Sequence, residues 1–111
     1  MNNPMNDRRS SPRYGLGPPL PCFIYSRQGQ TTGMALAQNV STGGLGLYSN
    51  RPLWPGDVVA ADLINAPPAL RRRLPLEVLH SRTDPEGGYL AGCRFPQPLS
   101  ESEVGDLVVR L

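Results

Sequence analysis

Residues 74–82 read Leu-Pro-Leu-Glu-Val-Leu-His-Ser-Arg, and this stretch decides the fold class. Leu74, Leu76 and Val78 share one face of an extended chain while Glu77 and Ser81 take the other, the period-two pattern of a strand with one dry and one wet side. Working outward, five more such runs appear: Leu20–Ser26, Gly33–Val40, Gly44–Ser49 with alternating Leu45 and Leu47, the Val- and Ala-rich Asp57–Ile64, and Tyr89–Phe95. The last places Tyr89, Ala91, Cys93 and Phe95 together. The links are short and turn-like: 27–32 contains Gly29, 51–56 contains Pro55-Gly56, and 84–88 contains Pro85 and a glycine pair. Short links favour antiparallel neighbours, because parallel pairs need a long crossover. Only 65–73, with Pro67, Pro68 and three consecutive Arg, is a longer excursion. Six short antiparallel strands that must hide their edges predict an all-β fold, a small closed or nearly closed barrel.

Both ends of the chain change character. Ser100 followed by Glu103 matches a capping box, and Val104, Leu107, Val108 and Leu111 then recur at helical spacing. A short C-terminal α-helix follows from this; alone in water it is marginal, so it should lay its apolar stripe on the barrel. Residues 1–17 are polar, carry Arg8, Arg9 and Arg13, and show no periodicity. They read as a flexible Arg-rich N-terminal arm, with the barrel and its helix over 18–111 and Pro18, Pro19 and Pro21 stiffening the lead-in.

With 111 residues the chain has room for one ordinary domain. Gly 12 and Pro 13 punctuate apolar runs, as turns do in β domains, rather than diluting them as in a disordered chain. All 11 basic residues are Arg, none Lys, for a net charge of +2. Guanidinium offers a planar fork of donors that grips phosphate or guanine and stacks on a ring, whereas ammonium is a point charge. The charge is uneven: residues 1–56 carry net +4 and 57–111 net −2, which directs an anion site towards the N-terminal half. No apolar run reaches the roughly 18 residues of a membrane span, and residues 1–9 lack the apolar core of a signal peptide. A cytoplasmic protein without membrane insertion is expected, with Cys22 and Cys93 as buried thiols rather than a disulfide.

Two local patterns carry the chemistry. Arg9-Ser10-Ser11-Pro12-Arg13 sets two Arg four apart on the arm, and Asn39-Val40-Ser41-Thr42-Gly43-Gly44 closes the second strand and turns into the third. Alternation along a strand puts Asn39 and Ser41 on the outer surface and Val40 in the core. Gly43 and Gly44 suit positions that need a positive φ or the close approach of a flat ligand. Two Arg can pair with phosphates, make bidentate bonds to the O6 and N7 edge of guanine and stack on purines, while Asn and Ser supply mixed donors and acceptors. A compact guanine-containing anion fits this set better than a polymer.

Arg-x-x-x-Arg on an N-terminal arm, followed about 25 residues later by Asp/Asn-x-Ser-x-x-Gly between two strands of a small barrel, resembles the PilZ domain, the bacterial receptor for the second messenger cyclic di-GMP. The likeness runs from Arg8 to Leu111 and includes Gly92-Cys93-Arg94-Phe95, similar to the family's Gly-x-x-Phe strand, and the closing helix. It implies a six-stranded antiparallel β-barrel of Greek-key, split-barrel type that binds cyclic di-GMP as a ligand, without metal, and signals to a protein partner. Arg9 and Arg13 would wrap the ligand, and Asn39, Ser41 and Gly44 would line the opposite wall with Gly43 as spacer. Asn39 is an accepted variant of the family's Asp, and it lacks the charge with which Asp binds the guanine N1 and N2 donors. Arg8 matches the pattern in which an Arg at that place favours an intercalated dimer of cyclic di-GMP. The expected mechanism is an ordering switch: the ligand docks on Asn39 and Ser41, the arm folds over it, and a partner protein reads the new surface.

The same residues have ordinary uses. Arg9 and Arg13 can be solvated charges, and Asn39 and Ser41 can cap a turn through bonds to nearby backbone, a role compatible with ligand contact. His80, the only histidine, falls on the apolar face at a strand end and reads as a half-buried structural imidazole, since no second His or Cys pair stands at metal-ligand spacing. Trp54 is expected to seal one barrel end, and Arg71, Arg72 and Arg73 to be solvated loop charges. The glycine series lacks the Lys and Ser/Thr of a phosphate loop, and no nucleophile and base or carboxylate pair suggests an enzyme. Two rivals remain. A ligand-free PilZ-like adaptor would use the barrel purely for protein interaction. A nucleic-acid-binding barrel would need several surface aromatics, and this chain has Tyr 4, Phe 2 and Trp 1, mostly at core-facing positions, so no nucleic-acid partner is expected.

Overall fold

A computed structural model of the chain describes residues 12–109. Six strands, β1 (Tyr14–Tyr25), β2 (Thr31–Val40), β3 (Gly44–Ser49), β4 (Val58–Leu63), β5 (Arg73–Thr83) and β6 (Tyr89–Arg94), are followed by helix α1 (Glu101–Val108), with one 3-10 turn at Pro68–Leu70. Every strand pair is antiparallel, and the order β1-β2-β3-β6-β5-β4 closes on itself through β4 pairing with β1. Closure removes the exposed edges that six short strands would otherwise present. The apolar alternation fills the inside: Leu20, Cys22 and Ile24 of β1, Leu45 and Leu47 of β3, and Leu74, Leu76 and Val78 of β5 are all buried. Ala35 and Ala37 on β2 and Ala61 on β4 leave room for these larger side chains.

β1 begins earlier than the sequence suggested. Tyr14 and Gly15 pair with Val40 and Asn39, and the ladder resumes only at Leu20 opposite Ala37. The extra residues on β1 form an irregularity that includes Pro18 and Pro19, which have no N–H to give the ladder. The barrel therefore starts four residues ahead of the expected boundary at Pro18. The rest of the expected arm, 1–11 with Arg8 and Arg9, lies outside the described residues.

β5 departs from simple alternation at a bulge. Val78 opposes Cys93 but His80 opposes Gly92, so Leu79 is the extra residue and His80 is turned outward and exposed instead of half-buried. A single inserted residue reverses every following side chain. Trp54 does not seal the barrel: it is 64% exposed, and its neighbour Leu53 is the buried residue at that end. The three loop arginines are also engaged. Arg71 Nε donates to the Ala66 carbonyl at 3.2 Å, Arg72 lies 3.5 Å from a Glu103 carboxylate oxygen, and the Arg73 guanidinium sits 3.6 Å over the Tyr25 ring.

The helix forms where the capping box placed it. Ser100 Oγ accepts from Glu103 N–H at 3.0 Å, and Glu103 Oε1 accepts from Ser100 N–H at 2.8 Å. Bonding to that backbone N–H, with Arg72 nearby, holds the Glu103 carboxyl below the usual carboxylate range. Val104 and Leu107 bury the helix's apolar stripe on the barrel. Leu111 lies outside the described residues.

Cys22 and Cys93 are free thiols, both buried. Burial pushes Cys22 up to about 12 and Cys93 to about 11, from an ordinary 9.0. A raised thiol pKa means the unfolded chain ionises first. Its contribution to stability is whole below pH 9.0 and is lost as the pH climbs towards 11 and 12. Denaturant melts should show stability declining across that alkaline window, with a much flatter profile in a Cys22→Ala/Cys93→Ala variant; an unchanged slope would contradict the assignment.

The turn between β2 and β3 separates its two glycines by function. Neither has a positive φ. A Cβ on Gly44 would collide with the Cys93 carbonyl of β6, whereas one on Gly43 meets only Ser41 Oγ at 3.8 Å. Gly44→Ala should cost about 1–3 kcal/mol in urea unfolding as β3 is forced from β6, while Gly43→Ala stays within about 0.5 kcal/mol. Equal costs would refute the distinction.

Candidate functional site

The turn at 41–44 is held by backbone on both sides. Ser41 N–H donates to the Gly44 carbonyl at 2.9 Å, while the carbonyls of Gly43 and Thr42 accept from Phe95 and Leu99 N–H at 2.8 and 2.9 Å. Ser41 is buried, not on the open surface as alternation suggested. Its Oγ accepts from the N–H groups of both Gly43 and Gly44 at 3.2 Å. With both lone pairs engaged, the hydroxyl offers a neighbouring cleft its proton as a donor.

Asn39 lies one strand position before the turn and faces out. Arg13 donates to its Oδ1 in a short hydrogen bond. The pairing of Gly15 with Asn39 explains the contact, since it draws the start of β1 alongside the end of β2 and brings Arg13 with it. Two motifs separated by 26 residues are thereby joined. The Asn39 amide lies flat over β3, where a Cβ on Gly46 would stand 2.5 Å from Nδ2.

Across the barrel wall the register makes a single row: Asn39 on β2 opposes Gly46 on β3, Gly46 opposes Gly92 on β6, and Gly92 opposes His80 on β5. The His80 ring occupies the space a Cβ on Gly92 would need. The row spans roughly 14 Å at ordinary strand spacing. Its two central positions carry no side chain, and its two ends carry an amide and an imidazole laid inward. This smooth floor was missed from sequence because Gly46 and Gly92 are ordinary strand residues until the register sets them side by side, and because the bulge at Leu79 reverses His80.

The floor belongs to an open cleft of about 1290 Å³ on the outer wall of β2, β3, β6 and β5. Arg13, Arg82 and Arg94 line it, together with Asn39, Ser41 and Gly44, and among the described residues no carboxylate does. Arg94 is held by Glu77 through Nε at 3.1 Å and by a second, shorter bond to the same oxygen. The cleft is thus electropositive and draws Arg13 from the N-terminal half of the chain and Arg82 and Arg94 from the C-terminal half. Such a surface can accept a flat ring on its floor and phosphate or carbonyl oxygens on its guanidinium, amide and hydroxyl donors. Among the described residues no group of three His, Cys, Asp or Glu could hold a metal ion, and no helix is long and apolar enough to cross a membrane.

No curated protein sequence matches the chain. Solved structures match its fold. The PilZ domain of YcgR from Escherichia coli, solved with c-di-GMP, superposes with a TM-score of 0.61 at 18% identity, covering 90% of this chain and 86% of that one. The MrkH–c-di-GMP complex from K. pneumonia gives 0.63 at 17% identity over 90% of this chain and 49% of the other. The Bacillus subtilis inhibitor of motility MotI/DgrA gives 0.60 at 15% identity over 91% and 47%. This chain spans about half the length of the last two. The model of the PilZ domain matches residues 7–111. With a family match over nearly the whole sequence and the same barrel in these structures, the chain belongs to the PilZ domain family.

Proposed function

We propose that the protein is a receptor for cyclic di-GMP, bound in the cleft over the Gly46–Gly92 floor. The observation that carries this reading is the Arg13–Asn39 hydrogen bond beside that floor, which joins the two family motifs at an electropositive surface whose central glycines carry no side chain of their own. Family membership and the relatives solved with c-di-GMP support it.

In this reading a guanine stacks on the Asn39 amide and the His80 ring where they lie across the glycine pair. Arg13 presents its fork to the O6 and N7 edge or to a phosphate, Asn39 Nδ2 donates to a ring or carbonyl acceptor, and Ser41 donates its hydroxyl proton. The second lone pair of Asn39 Oδ1 remains for a guanine N–H, with less pull than a carboxylate would exert. Arg8 and Arg9 close over the ligand from the arm, and Gly43 and Gly44 set the turn that holds Ser41. Arg8 stands at the place where the family pattern favours an intercalated pair of ligand molecules, which supports two stacked ligands. Ordering about six arm residues costs on the order of 6–12 kcal/mol. Charge-assisted bonds of about 1.5–3 kcal/mol each, together with stacking, offset it. Because Arg13 already rests on Asn39, that cost falls on the residues before it. The closed arm is then a surface for a protein partner, and the domain acts as an effector without catalytic chemistry.

Isothermal titration with cyclic di-GMP tests this directly. The wild type should bind with a ligand number near two, and Arg13→Ala, which loses the fork, should bind about 100-fold more weakly or worse. Equal affinity of the two proteins would sink the reading.

The floor has its own test. Gly92→Ala displaces an exposed His80 side chain rather than backbone, so the melting temperature should stay within a few degrees of wild type. The displaced ring roughens the floor and should weaken cyclic di-GMP about tenfold. A full-affinity Gly92→Ala protein would show that the base does not lie there.

A further inference from the structure

Among the described residues Arg13, Arg71, Arg72, Arg73 and Arg94 each have a side-chain or carbonyl partner, and Arg82 faces the ligand cleft. Arg27 and Arg51 make no ion pair among the described residues. They stand together at the far end of the barrel, where the β1–β2 and β3–β4 connections frame a second cleft of about 690 Å³. Its floor is apolar, with Ile24 and Leu53 buried. The stem of Arg51 lies across Gly33, with Cδ 3.7 Å from where a Cβ would be, and the side chain lines the cleft. The carboxylate at this rim, Asp57, is tied into the turn, its Oδ2 accepting from Trp54 N–H at 3.1 Å. That turn displays Trp54, and Val58 beside it is 40% exposed.

We propose that this mouth docks an acidic segment of a partner protein that carries an apolar anchor residue. Arg beside a partly apolar cleft, with Trp54 exposed on the adjoining turn, is the composition of interface hot spots, and guanidinium forks match carboxylates bidentately. The concave apolar floor suits one inserted side chain, which a flat bilayer does not offer. A nucleic acid would instead seek a row of cations. The proposal stands apart from cyclic di-GMP binding. Gly44 opens β3 beside the ligand cleft and Ser49 closes it at the mouth, roughly 17 Å away at 3.4 Å per residue, so both sites can be filled at once.

The test is an NMR titration of the 15N-labelled full chain with the peptide acetyl-Glu-Asp-Leu-Phe-Asp-Glu-amide. Saturable shifts are expected at the Gly33, Arg51 and Val58 amides and the Trp54 indole, with or without cyclic di-GMP. Binding should be about tenfold weaker in the Arg27→Glu/Arg51→Glu protein, weakened in Arg51→Gln, and lost when Lys replaces the peptide's acids. Shifts that do not saturate, that map to Asn39 and His80, or that persist in the charge-reversed protein overturn the proposal. Binding of phosphatidylglycerol vesicles or oligothymidine at these residues in place of the peptide overturns it equally. Loss of cyclic di-GMP binding in calorimetry leaves it standing.

Discussion

Between β3 and β6 the barrel wall is bare backbone, and much of the site follows from that. Gly44 lets the Cys93 carbonyl approach where no Cβ could fit, and Gly46 and Gly92 then stand opposite each other with no side chains of their own. Glycine in a strand is normally a weakness, since it packs no side chain and costs more entropy to order. Here the loss is offset because the neighbouring strands cover the gap from above: Asn39 reaches over Gly46 and the His80 ring lies over Gly92. The same two side chains become the lateral walls of the cleft. Under the proposed function packing and recognition are one arrangement, and a substitution at either glycine acts on both.

The strands were legible in the sequence because each obeys one rule, alternation bounded by turn residues. β3 was read to the residue and the other five to within a few at their ends, except the start of β1. The capping box was legible because Ser100 and Glu103 act within one turn of chain. What stayed hidden involved counting across strands. Leu79 is an unremarkable hydrophobic residue, yet as the extra residue opposite β6 it turns His80 from core to cleft. Trp54 looked like a plug because it is large and apolar, but the tight turn closed by Asp57 commits Leu53 inward and leaves the indole outside. The motif residues were visible by spacing; that Arg13 bonds Asn39 follows only from Tyr14 and Gly15 joining the sheet.

In the proposed function, Ser41 combines a structural role and a binding role in one hydroxyl. Its lone pairs are consumed by the N–H groups of Gly43 and Gly44, fixing the turn, and this consumption decides what remains to offer a ligand. A group that can only donate selects for acceptors, which is the chemistry of a phosphate or a carbonyl oxygen. Asn39 is constrained only in part: Arg13 takes one lone pair of Oδ1, which leaves the amide hydrogens for acceptors and the second lone pair for a donor.

The absence of Lys acquires meaning from this geometry. Arg13 on an amide, Arg94 on a carboxylate, Arg73 on a ring and Arg71 on a carbonyl each use the planar fork in a different way, and an ammonium would reproduce none of these contacts with the same directionality. A fork held by one partner keeps other N–H groups facing outward at a fixed angle. Arg13 is therefore part of the fold, and under the proposed function this reduces the ordering a ligand must drive. The net charge of +2 conceals this because it counts charges rather than the directions in which they are held.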